Sequence, residues 1–214
     1  MGEILKVEGL FKQFIKKNLF GSKTSIVKAV EDVTFSIHDN EVLVIAGESG
    51  SGKSTIAKLI LRAITPDSGK IIFEGEEITD EPNSLMKVRM NCQMVHQDPY
   101  DSINPRMKVK DIVSEPLEIH NVGDSQERKK IVLDALKEVK LEPSEEIGNK
   151  YPHMLSGGQR QRVVLARALV LRPKIIIADE PVSMLDVSIR AEILELMKNI
   201  QKKNNISFIY ITHD

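Results

Sequence analysis

Gly47-Glu48-Ser49-Gly50-Ser51-Gly52-Lys53-Ser54 stands between a nearly continuous apolar run, Glu41 to Ala46, and Thr55 to Ile64, where apolar residues recur at helical spacing before Pro66. Strand, glycine-rich loop, helix is the order in which G-x-x-x-x-G-K-[ST] cradles phosphate. Glycine permits backbone angles that aim successive N–H groups at one point, and the helix that follows adds its positive N-terminal end. Lys53 then supplies a cation for β- and γ-phosphate oxygens. Ser54 offers a hydroxyl to Mg²⁺, a cation that prefers oxygen ligands and keeps its waters. The run before the loop suits a strand buried on both faces of a sheet.

Outward from this unit, Ile4 to Val7 and the alternating Val30 to Ile37 read as strands. Between them Lys16-Lys17-Asn18-Leu19-Phe20-Gly21-Ser22-Lys23 clusters basic, Asn, Gly and Ser residues without periodicity, which predicts an exposed loop. Further on, Val109 to His120 and Gln126 to Leu141 carry helical periodicity with few strand-like runs between them, which predicts a helical subdomain. Ser156 precedes Gly157-Gly158 and an apolar-periodic stretch, so a helix is expected to open on a serine cap and to end by Pro173. Lys174 to Ala178 repeats the buried-strand pattern, Ile189 to Lys202 reads as a helix, and Ser207 to Ile211 as a last strand. Strands alternating with helices point to an α/β sheet with right-handed crossovers, and no internal repeat is visible.

The second buried run ends in Asp179-Glu180-Pro181, two carboxylates at the carboxyl end of a strand, where ligands bind in open α/β sheets. Asp179 is a candidate to hold magnesium through water, and Glu180 to polarise a water in line with a γ-phosphate. Turns after strands also welcome acidic residues; the phosphate loop decides for the chemical reading.

Composition excludes several classes. The 214 residues are 41% hydrophobic and 29% charged, enough apolar material for a globular core with a subdomain. A formal net charge of -1 gives no call for a polyanionic partner. The lone Cys92 excludes an internal disulfide or a Cys-rich metal cluster, and agrees with a reducing compartment. No run is long enough for a membrane-spanning helix and Met1-Gly2-Glu3-Ile4 lacks a signal-peptide core, so a membrane role is expected to come through a partner.

Leu155-Ser156-Gly157-Gly158-Gln159-Arg160-Gln161-Arg162 resembles the signature of the ABC ATPases. Gln97, the segment Ser183-Met184-Leu185-Asp186 and His213 follow the order of that family's Q-loop, D-loop and switch histidine, so the resemblance runs along the whole chain. It implies an α/β fold: a P-loop NTPase core with a mostly parallel sheet, an N-terminal antiparallel β part and an inserted helical subdomain. The corresponding divisions are residues 1–97, 98–155 and 156–214. It also implies that two such domains sandwich two ATPs head to tail. Ser156, Gly157, Gly158 and Gln159 of one copy, with Asp186, would face the nucleotide held by residues 47–55 of the other, Thr55 included. Glu180 would position the water, His213 would contact the γ-phosphate, and Gln97 would sense the metal held by Ser54 and Asp179. Phe14 is similar in position to the aromatic on which adenine stacks, with a core phenylalanine as the other reading.

His96-Gln97-Asp98-Pro99-Tyr100-Asp101-Ser102-Ile103-Asn104-Pro105-Arg106 resembles the extended Q-loop of the oligopeptide, dipeptide and nickel importer branch. Lys28-Ala29-Val30-Glu31-Asp32-Val33 and Gly47-Glu48-Ser49-Gly50 suit the same branch. The resemblance then implies a peripheral ATPase on the cytoplasmic face of the membrane. Its partners would be a second cassette (this chain or a paralogue), two permease subunits and, indirectly, an external solute-binding protein, without nucleic acid. A soluble ABC ATPase of the repair or translation type and a nucleotide-binding module with little turnover are the alternatives. Two departures stand out. Met184 replaces a residue that is usually small in the D-loop, which predicts altered packing at the dimer interface. The sequence also stops at Asp214, directly after the switch histidine, where family members continue; a truncated or unusually short chain is expected, with His213 disordered on a free terminus.

Overall fold

The computed structural model describes residues 2–17 and 23–213. In chain order the strands are β1 (Glu3–Lys17), β2 (Lys23–His38), β3 (Val42–Ala46), β4 (Ser68–Phe73), β5 (Glu76–Glu77), β6 (Cys92–Val95), β7 (Ile175–Asp179) and β8 (Ser207–Thr212). The helices are α1 (Lys53–Ile60), α2 (Pro82–Asn91), α3 (Val109–Ile119), α4 (Ser125–Glu138), α5 (Ser144–Asn149), α6 (Gly157–Leu169) and α7 (Val187–Asn204), with a 3-10 turn at Pro152–Met154.

Two four-stranded sheets form among the described residues: an antiparallel one in the order β2-β1-β4-β5 and a parallel one in the order β3-β8-β7-β6. The mostly parallel core and the N-terminal antiparallel part agree with expectation. The N-terminal strands are much longer than the predicted pieces, because Phe11 to Ile15 finds a β-branched partner run that includes Ile26 and Val27. This overturns the ends of the predicted exposed loop, since Lys16 pairs with Ser25 and Lys17 with Lys23. Its centre, residues 18–22, lies outside the described residues.

β7 divides two cores. Ile175 and Ile177 pack with Ile209 and Ile211 of β8, Leu59 and Ile60 of α1, and Ile71 and Phe73 of β4. Ile176 and Ala178 face the other way, into Phe208, Ile112 and Val113 of α3, Leu136 of α4, Val164 of α6 and Ile193 of α7. Every residue of β7 is buried, as expected of a central parallel strand. β3 corrects the expectation for the run before the phosphate loop. Among the described residues it pairs with β8 alone, at the edge of the sheet, and its residues alternate between exposed and half-buried, Val42 and Val44 being exposed.

α6 joins the helical part to the sheet. Its cap forms as the sequence suggests: Ser156 Oγ accepts from Gln159 N at 3.3 Å and Gln159 Oε1 accepts from Ser156 N at 3.0 Å, a reciprocal capping box. Three arginines then take hold of neighbouring backbone. Arg160 Nε donates to Pro152 O, Arg162 Nη1 to Val139 O and Arg167 Nη1 to Ser102 O, at 2.7, 3.0 and 2.9 Å. α4 starts on a capping box of Asp124 and Glu127, and it stops at Glu138, short of the predicted Leu141, as Lys140 turns left-handed at φ 58°. No helix among the described residues is long and apolar enough to cross a membrane.

Candidate functional site

The phosphate loop runs from the end of β3 into α1. Gly47 N donates to Thr212 O at 3.3 Å, which ties the loop's start to the end of β8. Gly52 takes φ 95°, a left-handed conformation that favours glycine, and a Cβ there would meet Ala29 O of β2 at 1.8 Å. Nothing larger than hydrogen fits without moving backbone. Lys53, 7% exposed, folds over the loop and donates through Nζ to Gly47 O at 2.6 Å and Glu48 O at 2.7 Å. The same ammonium is the cation that the motif offers to phosphate. Ser54 and Thr55 occupy the first turn of α1, beside its positive end.

β7 delivers Asp179, 9% exposed, and then Glu180, where the chain leaves the sheet. Glu180 has φ 45°, a conformation that costs a non-glycine residue about 1 kcal/mol. Its N–H donates to Ile211 O at 2.9 Å, which carries the β7–β8 ladder one residue past the strand and fixes the turn. The side chain is held on both oxygens: Gln97 Nε2 donates to Oε2 at 3.0 Å, and His213 Nδ1 lies 2.7 Å from Oε1. An ionised carboxylate only accepts, so His213 faces it with Nδ1 as the donor. Gln97 and His213, both distant from Glu180 in sequence, therefore meet it at one point. His213 thus lies beside the acidic end of β7.

Gly157 and Gly158 lie against Leu185 and the start of α7. A Cβ on Gly158 would meet Ile189 Cγ2 at 2.7 Å, and one on Gly157 would meet Leu185 Cδ2 at 3.5 Å, so the glycines set how closely α6 approaches that helix. The connecting segment is braced from within. Ser183 Oγ donates to Glu180 O at 3.1 Å, while Arg190 donates to Leu185 O at 2.7 Å and Ser183 O at 3.0 Å. Asp186 is the N-cap residue of α7 and Met184 projects into solvent, 60% exposed.

Phe14 sits in β1, half exposed, with Lys12 Nζ 5.8 Å from its ring centroid. The core reading of this phenylalanine fails on that exposure. Behind Glu180 and His213 a cleft of about 490 Å³ is bordered by Val44, Leu194, Arg190 and Tyr210. Burial pushes the Tyr210 phenol up to about 12, so it stays neutral. The arginines of α6 have a signal in the sequence, basic residues set amid an apolar-periodic stretch, whereas the lone Arg190 has none.

Residues 30–183 match the ABC transporter family. The chain belongs to that family. It is 45% identical to a "Probable peptide ABC transporter ATP-binding protein" of Sinorhizobium fredii over 99% of its own length and 60% of that protein's. It is also 45% identical to the "Oligopeptide transport ATP-binding protein AppF" of Bacillus subtilis, over 99% of its own length and 64% of that protein's. The chain thus spans less than two thirds of either relative. Among solved structures, a dimeric ATP-binding cassette in a post-hydrolysis state bound to ADP and Pi superimposes with a TM-score of 0.83 at 32% identity. That match covers 99% of this chain and 88% of the other.

Proposed function

We propose that this ABC transporter family member binds and hydrolyses ATP to power import of peptides or a similar small solute, as part of a larger protein or complex. The observation that carries the reading is the Glu180 carboxylate, held between Gln97 and His213 at the open end of buried β7, with β8 alone separating it from β3, the strand that leads into the Lys53 loop. A carboxylate fixed on both oxygens is oriented before any water arrives, which is what a group that positions an attacking water requires. The names of the peptide-transport relatives support the importer over a repair or translation role.

In this reading Gly47 to Thr55 hold the phosphates, with Glu48, Ser49, Gly50, Ser51 and Gly52 offering backbone and Lys53 the balancing charge. Phe14 stacks on adenine, and Glu180 takes a proton from the attacking water while Gln97 and His213 hold it. Ser156, Gly157, Gly158, Gln159 and Asp186 serve the nucleotide of the opposite copy. Magnesium suits this donor set. Among the described residues no three His, Cys, Asp or Glu side chains gather to hold a metal alone, and Mg²⁺ characteristically takes one or two protein oxygens with phosphates and waters completing its shell. Ser54 and Gln97 would supply those oxygens and Asp179 would hold the ion through one of its waters, and the ion would neutralise charge building on the phosphate oxygens. Residues 98–155 form the helical subdomain that meets permease subunits at the cytoplasmic face of the membrane.

Glu180→Gln tests the reading. The variant is expected to lose turnover by about a hundredfold or more, to keep ATP affinity, and to double its mass by light scattering only with Mg-ATP. Unimpaired hydrolysis by this variant would sink the role of Glu180, and a monomer that still binds ATP would sink pairing of this chain with itself.

A further inference from the structure

We propose that Tyr100 and Arg160 form a clamp that makes the position of Gln97 and the position of the signature turn depend on each other, so that Tyr100 is a positioning residue for ATP turnover. The inference rests on the ATPase reading above. Tyr100 is a large aromatic at 60% exposure, and its ring nevertheless has a fixed partner, the Arg160 guanidinium 4.1 Å from its centroid. That is well inside the reach of a cation–π contact. Arg160 cannot swing to follow the ring. Its Nε is bound to Pro152 O at 2.7 Å, and its N–H donates to Ser156 O at 2.9 Å in the turn that presents Ser156 and Gly157.

The other side of the clamp is equally short. Asp98 Oδ1 accepts from Tyr100 N at 2.7 Å and Asp98 O accepts from Ser102 N at 3.2 Å, so the residues after Gln97 form a closed turn rather than a slack tether. Arg167, further along α6, adds a second hold by donating to Ser102 O at 2.9 Å and to Glu115 Oε2 at 2.8 Å. Gln97 ends this turn on Glu180. A displacement of the Gln97 main chain therefore either carries the first turn of α6 with it or slides Tyr100 off Arg160. The third α6 arginine, Arg162, binds Val139 O and Glu192 and takes no part.

Steady-state ATP turnover separates the clamp from mere folding. Tyr100→Ala is expected to lower kcat about three- to fivefold while KM for Mg-ATP, set at the Lys53 loop, stays within about twofold. Tyr100→Phe keeps the ring and is expected to keep kcat. Arg160→Met should match Tyr100→Ala, and the double variant should lose no more than either single one, because the two act as a unit. Wild-type turnover by Tyr100→Ala, loss in Tyr100→Phe equal to that in Tyr100→Ala, or losses that multiply in the double variant would each overturn the clamp.

A second readout does not need hydrolysis. The chain has no tryptophan, so Tyr100→Trp installs a sole indole on the loop. Its emission should change when Arg160→Met is added and again when Gln97→Ala is added. Emission indifferent to both overturns the clamp, whereas a wild-type chain that hydrolyses no ATP, with emission responding as expected, overturns only the ATPase reading.

Discussion

β3 and β7 are both short apolar runs that lead straight into the residues proposed for chemistry, and both read in sequence as strands buried on two faces. The fold treats them oppositely. β7 has neighbours on both sides and a core on each face, and all five of its residues are buried. β3 closes the parallel sheet, with Val42 and Val44 at 47% and 55% exposure. Apolar composition identifies a strand, and only the sheet order says whether it is central. The two acidic residues accordingly hang from the most rigidly enclosed strand, while the phosphate loop hangs from an edge and is secured instead by Thr212 O and the close approach of Gly52 to Ala29.

The sharpest way to break this contrast is to place a charge on each strand. Ile177→Lys buries an unpaired ammonium, a penalty of several kcal/mol against a typical total stability of about 5–15 kcal/mol. Cooperative unfolding in denaturant is expected to vanish, and Val44→Lys is expected to retain it. Next in size is the reactivity of Cys92, which opens β6 and pairs in register with Ile175. Burial drives its thiol far above the ordinary range, so thiolate is scarce as well as hidden. Labelling by a thiol reagent should be slower in the native chain than in the denatured one by about a thousandfold or more, and rapid native labelling would mean that the central sheet opens readily. Ile177→Ala is expected to cost about 2–5 kcal/mol by denaturant midpoint. Smallest of all, Val44→Thr keeps the β-branch on an exposed face and should change stability by no more than about 0.5 kcal/mol; a larger loss would show that β3 is covered in solution.

What was legible in the sequence shares one property, that the partners lie close together along the chain. The phosphate loop, the serine cap of α6 and the acidic end of β7 are each written within a few residues, because turn, cap and strand-end chemistry is local. β4, β5, β6, α2 and α5 were not legible. β5 has two residues and β6 four, α5 is six residues long, and the apolar end of β4 follows Ser68-Gly69-Lys70, which reads as a turn. The three strands depend on pairing with strands elsewhere, and a helix as short as α5 holds only by packing on its neighbours. The family resemblance implies that Glu180, Gln97 and His213 serve one γ-phosphate and its metal, but not that Gln97 and His213 bind Glu180 itself, since nothing local links positions 83 and 33 residues away. The contact of Tyr100 with Arg160 was not foreseen, because an aromatic in a Pro- and Asn-rich loop carries no periodicity to interpret.

The arginine holds of α6 have a consequence for how this molecule can vary. Arg160, Arg162 and Arg167 all grip main-chain oxygens, of Pro152, Val139 and Ser102. Every amino acid supplies that oxygen, so the grip depends on the course of the neighbouring chain and not on which side chain it bears. Sequence drift is therefore unequally licensed at the two ends of each bond: the acceptor positions can change type while the guanidinium must stay, and α6 can keep its place while the surfaces around it are rewritten.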